Sequence, residues 1–336
     1  MNVINPDPEQ YTAALGGTVH RRFNRGVIRG TGADRLDLLH RLSTNATRDL
    51  ASGEETTTIL TSDKGRMIEV VRVIAFEDHI LMLLSGAGTG EVRTWLDKYT
   101  IMDDFATSDV TSGYVVAGVY GDHARSLVAA MLDLHPPDAG KIARGRFQEG
   151  DVTVLRDIRL TGAGGFLLLI DAAVADALLA RLAEEGVPQI GEETYETLRI
   201  EAGTPAIGRE LTEAYNPLEA GLTQFISFTK GCYIGQEVIA RLDSYDKVQR
   251  HLVGLSVAGD VATGNGGGLE LVDAEEGKKV GAVTSITYSP ALGRTIALAY
   301  VRTNFAVPGA TVNIVPEGEG SEPIATASIT RLPFDR

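Results

Sequence analysis

Lys230-Gly231-Cys232-Tyr233-Ile234-Gly235-Gln236-Glu237 gathers a thiol, an ammonium, a phenol, an amide and a carboxylate, and it holds the only cysteine of the chain. Lys230, two residues from the thiol, favours a thiolate, and the flanking glycines let backbone approach a ligand closely. The competing reading is a small buried hydrophobe, the usual fate of a lone cysteine. Residue types alone leave the two open. A single cysteine excludes an internal disulfide.

Three further segments could carry chemistry. In Thr61-Ser62-Asp63-Lys64-Gly65-Arg66-Met67-Ile68-Glu69, a glycine turn between two cations leads into a strand, and Glu69 could face a cavity; the alternative is a solvated hairpin turn. Arg199-Ile200-Glu201-Ala202-Gly203 reads as a helix end, with Gly203 as its C′ residue. Glu201 opposes the dipole there, which points to another purpose. A carboxylate suits the parallel N–H donors of an aminopyrimidine or guanidine-like group. The alternative is an ion pair with Arg199 or Lys230. Asn216-Pro217-Leu218-Glu219-Ala220-Gly221-Leu222 reads as a loop, followed by Ile226-Ser227-Phe228 as a strand. Arg241 could turn a guanidinium toward an anion or lie on the surface.

The motifs that are missing narrow the field. There is no P-loop, no dinucleotide fingerprint, no GxSxG serine and no metal-ligand spacing among the histidines. Gly162-Ala163-Gly164-Gly165 precedes a strand, so it reads as a turn. A net charge of −14 argues against a broad nucleic-acid surface, since phosphate neutralisation needs clustered Lys and Arg. No apolar run is long enough to span a bilayer, and residues 1–7 lack a signal peptide's basic and apolar regions. The expected compartment is the cytoplasm.

At 336 residues, two or three domains are expected. A weak repeat runs through the first two thirds. Gly26 to Gly32 and Ala117 to Gly121 each read as strand and turn before a helix, with Leu36, Leu39 and Leu42 inward in one and Leu127, Val128, Met131 and Leu132 in the other. Second helices carry Val92, Trp95 and Leu96, and Val174, Leu178, Leu179 and Leu182. Strand-like runs, Thr56 to Leu60, Val70 to Phe76, Leu81 to Leu84, Val152 to Leu155 and Phe166 to Ile170, lie between. Two β-α-β-β-α halves imply two related, ferredoxin-like α+β domains with antiparallel sheets. After Leu252, short β-branched runs alternate with glycine-rich turns: Leu252 to Val257, Gly268 to Val272, Val280 to Tyr288, Thr295 to Val301, Thr311 to Val315 and Ile324 to Ile329. That is a small barrel or sandwich. Gly259 to Gly268 reads as a flexible turn and Glu317 to Ser321 as a hairpin tip. The expected domains are residues 1–110, 111–248 and 249–336, with the first two able to exchange elements.

The run from Asn216 through Lys230-Gly231-Cys232-Tyr233-Ile234-Gly235-Gln236-Glu237 to Arg241 resembles the YgfZ family of folate-binding proteins, relatives of the glycine cleavage T-protein, an aminomethyltransferase. Arg250 to Leu255, Val280 to Ser285, Ser289-Pro290, Ile296 to Val301 and Pro333-Phe334 are similar to the T-protein barrel. Gly32-Ala33-Asp34, Asn45-Ala46-Thr47 and Lys64-Gly65-Arg66 match more loosely. The resemblance implies an α+β fold: two α+β domains and a C-terminal β-barrel in a ring around a central channel that holds tetrahydrofolate. It places Glu201 against the pterin ring, with Lys230, Tyr233, Gln236, Arg241 and Ser85 as further cofactor-binding positions. Cys232 and Glu69 become the catalytic candidates. Three departures stand out. Glu69 replaces the T-protein's acidic pair, Ser85 or Gly86 its asparagine, and Gln236 its arginine. On these departures the first implied function is a tetrahydrofolate-binding accessory protein for iron–sulfur cluster assembly or repair, serving clients such as radical tRNA-modifying enzymes. Cys232 would act transiently there, because one thiolate cannot hold a cluster. The alternative is a tetrahydrofolate-dependent aminomethyl- or methyltransferase. The implied partners are folate and iron–sulfur client or carrier proteins, without direct nucleic-acid or membrane contact.

Overall fold

Phe166-Leu167-Leu168-Leu169-Ile170 is apolar without alternation because both of its faces are buried. Phe166, Leu168 and Ile170 pack under helices, whereas Leu167 and Leu169 pack against a second sheet. Ile80, Met82 and Leu84 likewise face helices while Leu81 and Leu83 face the other sheet. Such runs mark the inner strands of a helix–sheet–sheet–helix sandwich.

The computed structural model describes residues 5–157, 160, 164–259, 261, 267–318 and 321–335. Parts of three expected turns, within 162–165, 259–268 and 317–321, lie outside the described residues. The chain forms two units: Thr12–Ile190 with Thr223–Ala240, and Met1–Tyr11 with Gly191–Leu222 and Arg241–Arg336.

The elements of the first half are α1 (Pro8–Gly16), β1 (Thr18–Phe23), β2 (Val27–Thr31), α2 (Arg35–Leu42), β3 (Glu55–Thr61), β4 (Met67–Ala75), β5 (His79–Leu84) and α3 (Thr89–Tyr99). The second half repeats the order with β6 (Ala106–Asp109), β7 (Tyr114–Gly121), α4 (Ala124–Leu132), β8 (Ile142–Phe147), β9 (Gly150–Asp157), β10 (Gly165–Asp171) and α5 (Ala172–Glu184). One sheet runs β3-β4-β5-β2-β6 and the other β8-β9-β10-β7-β1, all antiparallel. The orders are the same, and each sheet borrows its last strand from the other half: β1 pairs with β7, and β6 pairs with β2. The halves are thus interlocked by a reciprocal exchange of edge strands. Val27, Ile74, Leu81 and Leu83 meet Val116, Leu155, Leu167 and Leu169 between the sheets.

The other unit holds α6 (Glu192–Glu201) and a closed barrel, while α7 (Gln236–Ser244) begins in one unit and ends in the other. The barrel strands are β11 (Arg250–Ala258), β12 (Leu269–Asp273), β13 (Lys279–Ser289), β14 (Arg294–Arg302), β15 (Thr311–Pro316) and β16 (Ala325–Thr330). They close in the order β11-β14-β13-β12-β15-β16, so no sheet edge remains. Ile200 of α6 packs with Ile296, Leu298 and Phe334. That contact seats the end of α6, and with it Glu201, on the barrel wall.

Candidate functional site

Residues 226–235 form no strand, contrary to the expectation for Ile226-Ser227-Phe228. The segment is tied down point by point instead of by a ladder. Ser227 N–H donates to the Thr44 carbonyl at 2.9 Å, and Thr44 Oγ1 donates to the Phe225 carbonyl at 2.7 Å. The Lys230 ammonium donates to the carbonyls of His40, Ser43 (2.6 Å) and Asn45 (2.9 Å). His40 and Ser43 stand at the C-terminal end of α2, where carbonyls lack helical partners and a cation is favoured. All three ammonium donors are thereby used. Burial draws Lys230 down to about 7, while the three carbonyls favour its charged form. The ammonium also lies 5.0 Å from the Tyr233 ring centroid, and burial pushes the Tyr233 phenol up to about 12.

A second anchor follows at once. Ile234 N–H donates to the Arg41 carbonyl at 3.2 Å, and Thr61 Oγ1 donates to the Ile234 carbonyl at 2.6 Å. Gly231 and Cys232 lie exposed between the anchors. Cys232 is therefore held at the tip of a fastened loop, and the buried-hydrophobe alternative does not hold.

The Lys64-Gly65-Arg66 turn packs against this loop. Gly235 has φ +83°, and a Cβ there would fall 2.5 Å from the Ser62 carbonyl oxygen and 2.9 Å from Gly65 Cα. Both obstacles are backbone, so neither can swing aside. Gly235→Ala should lower stability by roughly 2–4 kcal/mol, the range for a strained left-handed residue with an added clash. Urea unfolding checks this; a loss below about 0.5 kcal/mol, the range of neutral surface changes, would show that the two turns do not depend on their close approach.

Glu69 follows a register shift between β3 and β4 and is only 5% exposed. Its Oε1 accepts from Val70 N–H at 2.9 Å and Ser85 N–H at 3.2 Å. Ser85 Oγ donates to the Val70 carbonyl at 2.9 Å, so this hydroxyl braces the strand ends around Glu69. Burial pushes the Glu69 carboxyl up to about 7, against the opposing pull of backbone N–H groups from Val70, Ser85 and Gly86 and of Arg25. Such a group exchanges protons near neutrality.

Glu201 belongs to the barrel unit. As expected, α6 ends at Glu201 with Gly203 in the left-handed region one residue past its cap. The expected alternative for Glu201, an ion pair with Arg199 or Lys230, is not the arrangement found. Arg199 donates through Nε and Nη2 to Glu196 at 2.9 and 2.7 Å, and through Nη1 to Glu210 at 3.2 Å. Glu201, 1% exposed, instead accepts at Oε1 from Tyr11 Oη and from Ser289 Oγ, each at 2.5 Å. Neither hydroxyl was a candidate on sequence. Tyr11 lies 190 residues away with no local signal, although Ser289-Pro290 is part of the barrel resemblance.

Gln236 opens α7, its N–H donating to the Tyr233 carbonyl at 3.2 Å. Arg241 is exposed in the last turn of α7, where a cation complements the dipole. In the Asn216 loop, Asn216 Oδ1 accepts from the Leu218 and Glu219 N–H groups while Glu219 Oε2 accepts from Asn216 N–H, a reciprocal cap. Lys230, Cys232, Tyr233, Gln236, Glu69 and Ser85 thus share one unit, while Glu201 and Arg241 belong to the other. Among the described residues no helix is long and apolar enough to cross a membrane.

Paired antiparallel sheets and a closed six-stranded barrel define an α+β protein of the aminomethyltransferase fold. Residues 23–230 match the GCVT N-terminal domain and residues 250–335 the glycine cleavage T-protein C-terminal barrel domain, so the chain belongs to the glycine cleavage T-protein family. A chloroplastic protein of Arabidopsis thaliana, whose name assigns it only to the transferases, is 31% identical over 292 residues; the match covers 86% of this chain and 66% of that protein's length. An aminomethyltransferase of Koribacter versatilis is 30% identical over 288 residues, covering 82% of this chain and 74% of its own. The crystal structure of the glycine cleavage system aminomethyltransferase T from Bartonella henselae superimposes with a TM-score of 0.81 at 20% identity, over 97% of this chain and 89% of that one. That likeness establishes the fold.

Proposed function

We propose that this protein is a tetrahydrofolate-dependent one-carbon transferase that takes a methyl or aminomethyl unit from a donor. Glu69 is the observation that carries this reading. It is a buried carboxyl, braced by backbone N–H groups, that titrates near 7. The relatives named aminomethyltransferase favour transfer over the accessory role.

The residues present fit a folate. Glu201 is a buried acceptor suited to a ligand edge that presents N–H donors. When bound, tetrahydrofolate supplies the secondary amines that take up the carbon unit. Ionised Glu69 would be the residue able to take up a proton from such an amine, as a carboxyl that burial brings up to about 7. Backbone N–H groups hold the carboxylate in place for this step.

Single-turnover reaction with tetrahydrofolate and an S-aminomethyl thiol or a methylamine donor tests the proposal. Carbon-loaded folate should appear in amounts matching the protein. Folate binding with no carbon transfer from either donor class would sink the transferase reading.

One observation favours a second reading, the iron–sulfur accessory role of the YgfZ-like branch: Cys232 is presented to solvent on an anchored loop. A client or carrier would supply the other cluster ligands. Under that reading Cys232→Ser removes support for iron–sulfur clients in cells; under the transferase reading it leaves single turnover intact.

A further inference from the structure

Glu201 is not held by its partners directly alone; they in turn are held by the turn between β13 and β14. Ala291 N–H donates to Tyr11 Oη at 3.3 Å, and Leu292 N–H donates to Ser289 Oγ at 3.2 Å. Each hydroxyl oxygen therefore already accepts a hydrogen. Each then donates to the same carboxylate oxygen, Glu201 Oε1, at 2.5 Å. Two relays run from backbone N–H through hydroxyl to carboxylate, and chains of this kind polarise along their length. Tyr11 is 4% exposed and Ser289 fully buried, so water does not compete with them. The backbone amide of Phe334 adds a bond to the Glu201 carbonyl at 3.0 Å, fixing the main chain beneath the side chain.

The donor directions have a chemical consequence. With both relays in place, Oε1 accepts and does not donate. Burial and the neighbouring Glu201 also raise the Tyr11 phenol well above its ordinary range, so Tyr11 remains a donor at any working pH.

We propose that Tyr11 and Ser289 are positioning residues that occupy Oε1 of Glu201 and fix the orientation of its carboxyl group, so that this position selects ligands presenting N–H donors. The inference rests on the folate reading and extends it to two residues and to the basis of selectivity. Sites built to hydrogen-bond a ligand group discriminate strongly against analogues that lack it.

The test compares two ligands on three proteins by calorimetry. The ligands are tetrahydrofolate and an analogue whose 2-amino group is replaced by methyl. The proteins are wild type, Tyr11→Phe and Ser289→Ala, each checked for an intact thermal transition; either variant alone suffices if the other does not fold. Wild type should prefer the amino ligand by about 10-fold or more, the effect of one hydrogen bond to a charged group. In the variants that preference should shrink about 3- to 10-fold, because the carboxylate is free to turn. A merely structural role would weaken both ligands in parallel and leave their ratio unchanged, which overturns the inference. Failure of wild type to bind either ligand would instead overturn the folate reading, a distinguishable result.

Discussion

Replacing Glu201 should weaken tetrahydrofolate binding by about 10- to 100-fold, the range expected when hydrogen bonds to a buried charged group are lost. The choice of variant matters. Glu201→Ala leaves the hydroxyls of Tyr11 and Ser289 without an acceptor in a buried site, at a stability cost of about 1–3 kcal/mol per group. Glu201→Gln keeps one carbonyl oxygen for those hydroxyls and turns an NH2 toward whatever meets the other position. Two donors then face each other, so affinity falls while the fold is spared. Titration calorimetry on both variants separates the effects. If Glu201→Gln binds tetrahydrofolate as tightly as wild type, Glu201 does not read the ligand, and its burial is purely architectural.

What sequence could and could not show follows from how each feature is made. β5 and β10 are legible because a strand buried on both faces must be continuously apolar. The six barrel strands are legible because glycine-rich turns punctuate them. The borrowed strands β1, Thr-Val-His-Arg-Arg-Phe, and β6, Ala-Thr-Ser-Asp, are not: edge strands carry polar side chains, and their pairing joins residues about 80 to 100 positions apart. The same limit governs the site. Lys230 two residues from Cys232 reads as a thiol tuner, yet its three hydrogens go to carbonyls around the end of α2, some 190 residues away. Arg199 two residues from Glu201 reads as its ion-pair partner, yet a helix places it beside Glu196, one turn back, and Glu210 completes the pair. Proximity in sequence misassigned both cations. The exposure of Cys232 and the burial that pushes the Glu69 carboxyl up to about 7 are likewise set by tertiary packing, which residue type does not encode.

Glu69→Gln should cut the single-turnover rate by about 100- to 10,000-fold if the carboxylate moves the proton, the usual contribution of a positioned acid–base group. The pH profile adds a signature that simple damage would not produce. Burial raises the Glu69 carboxyl from 4.5 to about 7, so the wild-type rate should climb as pH passes through 7 and then level off, whereas the Gln variant should be flat there. Stability must move the opposite way. A folded pKa above the unfolded value gives stability that is complete below pH 4.5 and lost as pH rises through about 7. The shift corresponds to about 3 kcal/mol. Lys230, drawn down to about 7 from 10.5, acts in the adjacent window: stability rises with pH between those values. Comparing wild type with Glu69→Gln at each pH cancels the lysine. Urea unfolding at pH 5 and pH 8 should therefore show the wild type losing about 2–3 kcal/mol more than the variant over that interval. Parallel stability profiles, with a transfer rate in Glu69→Gln within about threefold of wild type, would remove Glu69 from the chemistry and leave it as a strand-end brace for Ser85 and Val70.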